Sequence, residues 1–507
     1  MNSRPTYLMG VDLGSSNLKA TIIRSDGTLA GEASHPIETR IRHPGWSEQN
    51  PDEWYAAFCK AVPHALKRAG IAASDIAGIG FSGGAHIPVL TDADDEVIRP
   101  AILWSDQRSI AEARELHEKH GEMIIRTSLN RANPTWALAM LKWLRKHEPD
   151  AVKRTRKLFI AKDWLRWRIT GTWHTDYSDV IGALMADNRT RNWSPEICAL
   201  IDWDMKTLPP VVEPSAVVGE VTEDAARETG LAAGTPVVCG SNDTTVEIYG
   251  VGATRAGQGA IKLATAGVVF LTTEGPAVHP PISCYPHIVP GKYYCATGMN
   301  SCASAHKWLR DRMFMEPGGD GSAAFARIDE MAASVPPGSM GLIFHPYLQG
   351  ERGPHWDPKL KADFVGLTMQ HGREHFARAL YEGISFALCD LLTAAKDQGL
   401  AFDEFSIMGG GARSTTWRQI VADVLGVEIK RPENGDASFG AALVAGVGVG
   451  TFASYDDAVT RCVRLLDTNT PDATRHALYR EMFEIYRDVQ KRLVPVNHQL
   501  HDKFVGS

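Results

Sequence analysis

Residues 9–23, MGVDLGSSNLKATII, constrain this chain more than any other stretch. An apolar run (Leu8, Met9, Val11) leads into Asp12. Gly14, Ser15, Ser16 and Asn17 follow, and a second apolar run over 20–23 leads out. Two strand-like runs bounded by residues that tolerate positive φ, or that bond their own backbone, predict a β-hairpin. Its turn carries hydroxyls and backbone N–H groups able to cradle phosphate oxygens. Asp12, at a strand end, is where a carboxylate could hold a Mg²⁺ that bridges such oxygens. The same residues would also make a plain surface hairpin, so the choice rests on partners further along.

At 507 residues the chain exceeds what one core supports and predicts about two to four domains. Apolar content of 44% and charged content of 22% are ordinary for a globular protein. With 53 Lys plus Arg against 60 Asp plus Glu, the net charge of -7 argues against a nucleic-acid partner bound through a broad basic surface. An anionic ligand would need backbone amides, a few cations or a metal. The apolar run in MNSRPTYLMGVDLG is too short for a secretory signal, and no stretch approaches the roughly 20 apolar residues of a membrane helix. The eight cysteines (59, 198, 239, 284, 295, 302, 389, 462) form no CxxC and no Cys/His cluster. Reduced thiols, a cytoplasmic location and no membrane partner are the expectation.

Strand and helix patterns alternate along the chain. Asn50 or Asp52 is placed to cap a helix over 54–68. A short strand over 76–81 runs into Ser82-Gly83-Gly84-Ala85-His86, and another over 101–104 runs into Ser105-Asp106-Gln107-Arg108. Strands ending in polar loops predict the rim of a binding cleft in an open α/β sheet. His86 there is as compatible with a structural hydrogen bond, and Asp106 with a surface ion pair to Arg108. Helices are predicted over 136–146 and 163–171, with Asp176 to Asp179 in a loop whose acids could cap the next helix. The strand over 236–239 feeds Gly240-Ser241-Asn242-Asp243, and a helix starts near Thr244. Asp243 is thus either an N-cap or a carboxylate poised at a positive helix end.

Residues 260–273, AIKLATAGVVFLTT, echo the first hairpin, with Ala264, Thr265, Ala266 and Gly267 as the turn. Two hairpins of one design suggest duplicated domains, divided near 255 into 1–255 and 256–507. Strands over 340–345 and 404–408, helices over 375–395 and 415–425, and an amphipathic helix over 479–493 follow. The strand over 404–408 runs into Gly409-Gly410-Gly411-Ala412, where backbone approaches something flat or charged without the GxGxxG spacing of a dinucleotide fold. Residues 437–450 predict a helix of very small residues.

Taken in order, DLGSSNLK, GWSEQNPDEW, ILWSDQR, LRWRITGTWHTDYSD, GSNDTT, YLQGERGPHWD and MGGGARSTTWRQIVADVLG resemble the sequence blocks of the FGGY carbohydrate kinases, the xylulokinase branch above all. The resemblance spans residues 10–450. It implies an α/β fold of two RNase-H-like domains, of the actin/hexokinase superfamily, facing a central cleft that closes on ATP and sugar. Asp12 then matches the Mg²⁺-organising acid, with Gly14, Ser15, Ser16 and Lys19 in the phosphate turn, and Asp243 matches the general base. Thr265 and Gly267 would lie near the β- and γ-phosphates, and Gly410, Gly411 and Ala412 against adenosine. His86 and Asp106 would meet sugar hydroxyls. The chain departs from the family in reading Ala-Thr-Ala for Gly-Thr-Ser in the second turn, Met140 for a Lys, and Ala85 for a Met. The expected partners are a small sugar, best D-xylulose, and ATP, with a homodimer as a reasonable assembly. Two rivals stay open: a sugar-binding, kinase-like regulator with little catalysis, and an actin-like ATPase that moves a partner protein.

Overall fold

Strands β1 (Tyr7–Leu13) and β2 (Asn17–Arg24) make the expected hairpin, and β3 (Leu29–Pro36) adds to it antiparallel. The structure is a computed structural model that describes residues 6–315 and 321–505. Strand β4 (Ile76–Gly83) runs parallel to β1 and continues past the apolar run, which takes Ser82 into the sheet. With β5 (Val217–Glu220) and β6 (Pro236–Val238), the order is β5–β6–β4–β1–β2–β3; β6 is parallel to β4, and β5 is antiparallel to β6.

Period-two alternation sorts the residues of β1 between the two faces of this sheet. Met9, Val11 and Leu13 share a buried cluster with Trp54, Phe58 and Val62 of the helix Pro51–Ala69. That helix starts where Asn50 caps it by accepting from the Asp52 amide. Each large apolar side chain buried here contributes about 1.5–3 kcal/mol. Leu8 points the other way, into a cluster with Phe439, Leu443 and Val444 of the helix Ala437–Gly448. This helix lies almost on the sheet backbone: a Cβ on Gly10 would sit 1.8 Å from the Ser438 carbonyl, and one on Gly440 2.0 Å from that of Val246. Only glycine permits such approaches, which is why the helix reads ASFGAALVAGVG.

The chain forms two compact units that are not the consecutive halves 1–255 and 256–507. The first comprises the chain up to Thr254 together with Glu274–Tyr294 and Asn434–Arg464; the second comprises Arg255–Thr273, Cys295–Glu433 and the chain from Leu465. The small-residue helix belongs to the first because its glycine contacts with β1 and the Val246 turn bind it there.

In the second unit β7 (Gln258–Leu263) and β8 (Gly267–Thr273) form the second expected hairpin. Strands β9 (Tyr293–Met299, in this unit from Cys295), β10 (Glu404–Met408), β11 (Glu428–Pro432) and β12 (Leu465–Asn469) give the order β12–β11–β10–β7–β8–β9. Strand β10 is parallel to β7 and β11, and β12 is antiparallel to β11. The helix Arg373–Asp397 stacks Tyr381 on Trp417 of the helix Thr415–Leu425, ring centroids 4.7 Å apart.

Four expectations need correcting. Asp176 to Asp179 are not a loop: Asp176 caps the helix Tyr177–Gly182 by accepting from the amides of Ser178 and Asp179. The strand expected over 101–104 is only Ala101–Ile102, and that over 340–345 only Ile343–His345. The terminal helix is longer than its amphipathic stretch, Ala473–Phe504, because Asp472 caps it seven residues before Tyr479. Among the described residues no helix is long and apolar enough to cross a membrane. All eight cysteines are thiols.

Candidate active site

Register brings the two principal carboxylates together. Asp12 is the Cα partner of Ser82, and Ser82 of Ser241 in the two-residue strand Ser241–Asn242. Three parallel strands therefore end side by side, so Asp12 and Ser241 are separated by two strand spacings, roughly 10 Å. The chain then turns into the helix Asp243–Gly250. Asn242, not Asp243, is its cap, accepting from the Thr245 amide at 3.0 Å. Asp243 is the first helical residue, its carboxylate accepting from the Thr244 amide at 2.7 Å. An anion at this end is favoured by the helix dipole.

Asp12 accepts a hydrogen bond from the Ser82 hydroxyl at 3.1 Å. Burial, then the negative charges of Asp243 and Asp436, raise its pKa to about 7, against the opposing Ser82 hydroxyl and with a lesser push from Glu247. Asp436 caps the small-residue helix, accepting from the Phe439 amide at 2.9 Å and the Ser438 hydroxyl at 2.7 Å. Burial works against its charge, but the Lys19 ammonium at 2.7 Å and these donors hold its carboxyl below the usual range. Lys19, opposite Asp12 in the hairpin register, is itself shared between Asp436 and Glu32, both at 2.7 Å. Two acids thus fix this ammonium beside the hairpin.

In that turn the Gly14 amide donates to the Asn17 carbonyl at 3.1 Å, and the Ser15 hydroxyl accepts from Trp104 Nε1 at 2.9 Å. Gln49 Nε2 holds the Ser15 carbonyl at 2.6 Å, and Ser16 is exposed. Carbonyls and one hydroxyl fix the turn from behind. Among the described residues no group of three or more His, Cys, Asp or Glu side chains is arranged to hold a metal. A hard cation such as Mg²⁺ takes one or two carboxylates and keeps its other positions for water and phosphate. Asp12, surrounded by excess negative charge, fits that demand.

His86 adopts a left-handed backbone conformation, φ 68°, just beyond β4. Its ring lies 5.2 Å from that of Trp136 and is stacked 6.2 Å from that of Tyr285, against Gly182, where a Cβ would stand 2.4 Å from its Cε1. Nδ1 is buried with no hydrogen-bond partner among the described residues. Burial lowers the pKa to about 3, so the ring is neutral near pH 7. Tyr285 stacks on Tyr294, whose hydroxyl meets that of Thr245 at 3.2 Å, so an aromatic row joins His86 to the Asp243 helix.

Asp106 is not the surface ion pair that sequence left open. It is buried, accepting from the Arg108 amide, Nε and Nη2 at 2.8, 2.9 and 2.7 Å and from the Ser47 amide at 2.6 Å. Arg108 lies 3.7 Å over the Trp46 ring and also reaches Glu48. Oδ2 thus ties the Asp106 loop to the Ser47 loop, while Oδ1 holds Arg108 within its own loop. Asp436, Tyr285 and Tyr294 were missed, since each lies far along the chain from the groups it serves and carries no local motif.

The second hairpin is also pinned by its carbonyls. The Thr265 carbonyl accepts from the amides of Cys302 and Ser304 and from the Ser304 hydroxyl at 2.8–3.2 Å. A Cβ on Gly267 would lie 2.8 Å from Met299. Beyond β10, Gly409 has φ 89°, with room for a Cβ only 2.6 Å from the Leu263 carbonyl. Gly411 packs against Leu263 and Trp417, and Ala412 is buried with its carbonyl on Arg418. Gly410 alone of the three predicted contacts has nothing within 4 Å of its Cβ position.

Comparison with known proteins agrees with this organisation. Residues 7–250 match the family model described as "FGGY family of carbohydrate kinases, N-terminal domain", and residues 259–449 match the C-terminal domain of the same family. Xylulose kinase of Escherichia coli (strain K12) is 32% identical over 96% of this chain and 99% of its own length. Gluconokinase of Bacillus subtilis (strain 168) is 25% identical over 98% of each chain. The crystal structure of xylulose kinase from Rhodospirillum rubrum superposes with a TM-score of 0.88 at 30% identity, covering 97% of this chain and 100% of that one. With both family domains matched in order and the hairpin–helix scaffold repeated in each sheet, the chain belongs to the FGGY carbohydrate kinases, phosphotransferases whose acceptor is an alcohol group, with two RNase-H-like α/β domains.

Proposed function

We propose that the enzyme transfers the γ-phosphate of ATP to the terminal hydroxyl of D-xylulose, forming D-xylulose 5-phosphate, in the cytoplasm. The observation that carries this reading is the convergence of Asp12 and Asp243 at the ends of two strands that flank a common neighbour, close enough that Asp243 is the strongest charge acting on Asp12. Phosphoryl transfer asks for in-line positioning and neutralised charge more than for covalent chemistry. Asp243 orients the acceptor hydroxyl and takes its proton as the oxygen attacks phosphorus. A weak base suffices because the proton leaves late in a loose transition state. Asp12 is the residue that would hold Mg²⁺, and the cation would offset phosphate charge. Ser15, Ser16 and Gly14 line the phosphate turn, while Lys19 keeps Asp436 ionised. In the second unit Thr265 and Gly267 are the proposed phosphate contacts and Gly410 the adenosine contact, with Gly411 and Ala412 shaping the backbone beneath it.

D-Xylulose is favoured by the xylulose kinase relatives and by His86 at the end of β4, where its unpartnered Nδ1 accepts from a sugar hydroxyl. Asp106 supports that rim through the loop it clamps. Gluconate is the second reading, favoured by the gluconokinase relative. Asp243→Asn tests the chemistry: ATP binding by calorimetry stays near wild type while turnover in an ADP-release assay falls by about three orders of magnitude. Near-normal kcat in that variant sinks the base assignment. A panel of ketoses, polyols and aldonates ranked by kcat/KM tests the sugar, and gluconate ahead of D-xylulose reverses the choice. Sugar-independent ATPase activity would point instead to a protein-moving ATPase.

A further inference from the structure

Beneath the turn that carries Asp243 lies a buried polar network with no direct part in the proposed chemistry. Lys162, in the first turns of the helix Ala161–Thr170, places its ammonium 2.6 Å from Asp163, 2.9 Å from Asp176 and 3.1 Å from Asp179. Arg166, one turn on, binds Asp163 at 2.6 Å and donates to the Cys239 carbonyl at 2.7 Å. All five side chains are essentially excluded from solvent. Burial pushes the Asp179 carboxyl well above its usual range, against the pull of the Lys162 ammonium. Apolar residues of similar volume would hold a core here at least as well.

What the network and the adjoining Ser178 do instead is hold residues 239–245 at four polar groups. Arg166 holds the Cys239 carbonyl. The Ser241 hydroxyl donates to Asp176 Oδ1 at 2.9 Å. Asn242 Nδ2 donates to the Ser178 hydroxyl at 3.2 Å, and that hydroxyl also meets the one on Thr245 at 3.1 Å. The grip ends on both sides of Asp243, at the cap and in the first turn of its helix.

We propose that Asp176 and Ser178 are positioning residues for phosphoryl transfer, fixing through Ser241, Asn242 and Thr245 where the Asp243 carboxylate stands. This rests on the reading of Asp243 as the base. A displacement of about 1 Å at such a group can lower turnover by about a hundredfold.

The test is a double-mutant cycle on the full chain, assayed with Mg-ATP and D-xylulose, with thermal unfolding recorded for each variant. Ser241→Ala is expected to lower kcat by about 10- to 100-fold with both KM values within about threefold. Ser241→Thr, which keeps the hydroxyl, is expected to restore kcat to within about threefold. In an Asp243→Asn background Ser241→Ala should change the residual rate less than about twofold, since the positioned group is gone. The same cycle with Ser178→Ala carries the test if Ser241→Ala does not fold. Equal losses in both backgrounds, or a Ser241→Ala kcat within threefold of wild type, overturn the positioning role. An Asp243→Asn enzyme that still turns over normally sinks the base reading itself, which is a different result.

Discussion

The two sheets share a strand order and differ at the strand ends. β5–β6–β4–β1–β2–β3 in the first unit has the same neighbours and matching parallel pairs as β12–β11–β10–β7–β8–β9 in the second. Aligning the hairpins on Leu13 and Leu263, where each first strand ends, sets Lys262 opposite Asp12. Across the parallel pair, Ser82 in one becomes Met408 in the other. One copy ends in an acid cluster beside a helix cap, the other in glycines and small residues. A shared scaffold therefore supplies strand ends, and the residues placed there divide the work.

The sharpest way to break this division is to compare the two turns by mutation. Asp12→Asn should lower kcat by about a thousandfold or more, while Thr265→Val should lower it about tenfold or less. Steady-state rates giving equal losses would erase the asymmetry. Next comes stability. Gly440→Ala sets a Cβ 2.0 Å from the Val246 carbonyl and should cost about 2–4 kcal/mol, whereas Gly410→Ala enters open space and should change stability by less than about 0.5 kcal/mol in denaturant melts.

A smaller effect concerns the acid cluster. In the role proposed for it, Asp12, with its pKa raised to about 7, must lose its proton to hold a cation, so kcat/KM for ATP should rise as pH passes 7. Asp436→Asn keeps a good helix cap but removes one of the charges that raise this pKa, so the rise should move to lower pH by about half a unit to one unit. A limb that does not move would separate Asp436 from Asp12.

The smallest effect should be common to both units. Burial lowers His86 to about 3 in the first unit and His306, also opposed by Arg310, to about 4 in the second. Both folded values lie below the unfolded value of about 6.5. The unfolded chain therefore takes up protons first, and stability present above pH 6.5 is lost as pH falls. His86→Gln and His306→Gln should each flatten that fall between pH 6.5 and 5.5 by about 1 kcal/mol. A steeper fall in either variant contradicts the neutral assignment.

Much of the scaffold could be read along the chain. Both hairpins, the strand Glu404–Met408 and the helix Thr415–Leu425 stand where pattern placed them, because apolar spacing and turn residues act over a few positions. Asp12 and Asp243 were also legible as acids at strand ends. The burial of Asp106 and the helix over 176–179 were not legible for one reason: both segments look like exposed polar loops until Arg108 and Lys162 arrive to bury them.

Local sequence thus decided which segments become strands, helices and glycine turns, since those choices turn on backbone sterics and short-range periodicity. Only the folded chain decided which charges meet. Lys19 finds Asp436 from 417 residues away, and Ser241 finds Asp176 across 65. A carboxylate's field depends on distance through space and on exclusion of water, and neither is written in the order of residues along the chain.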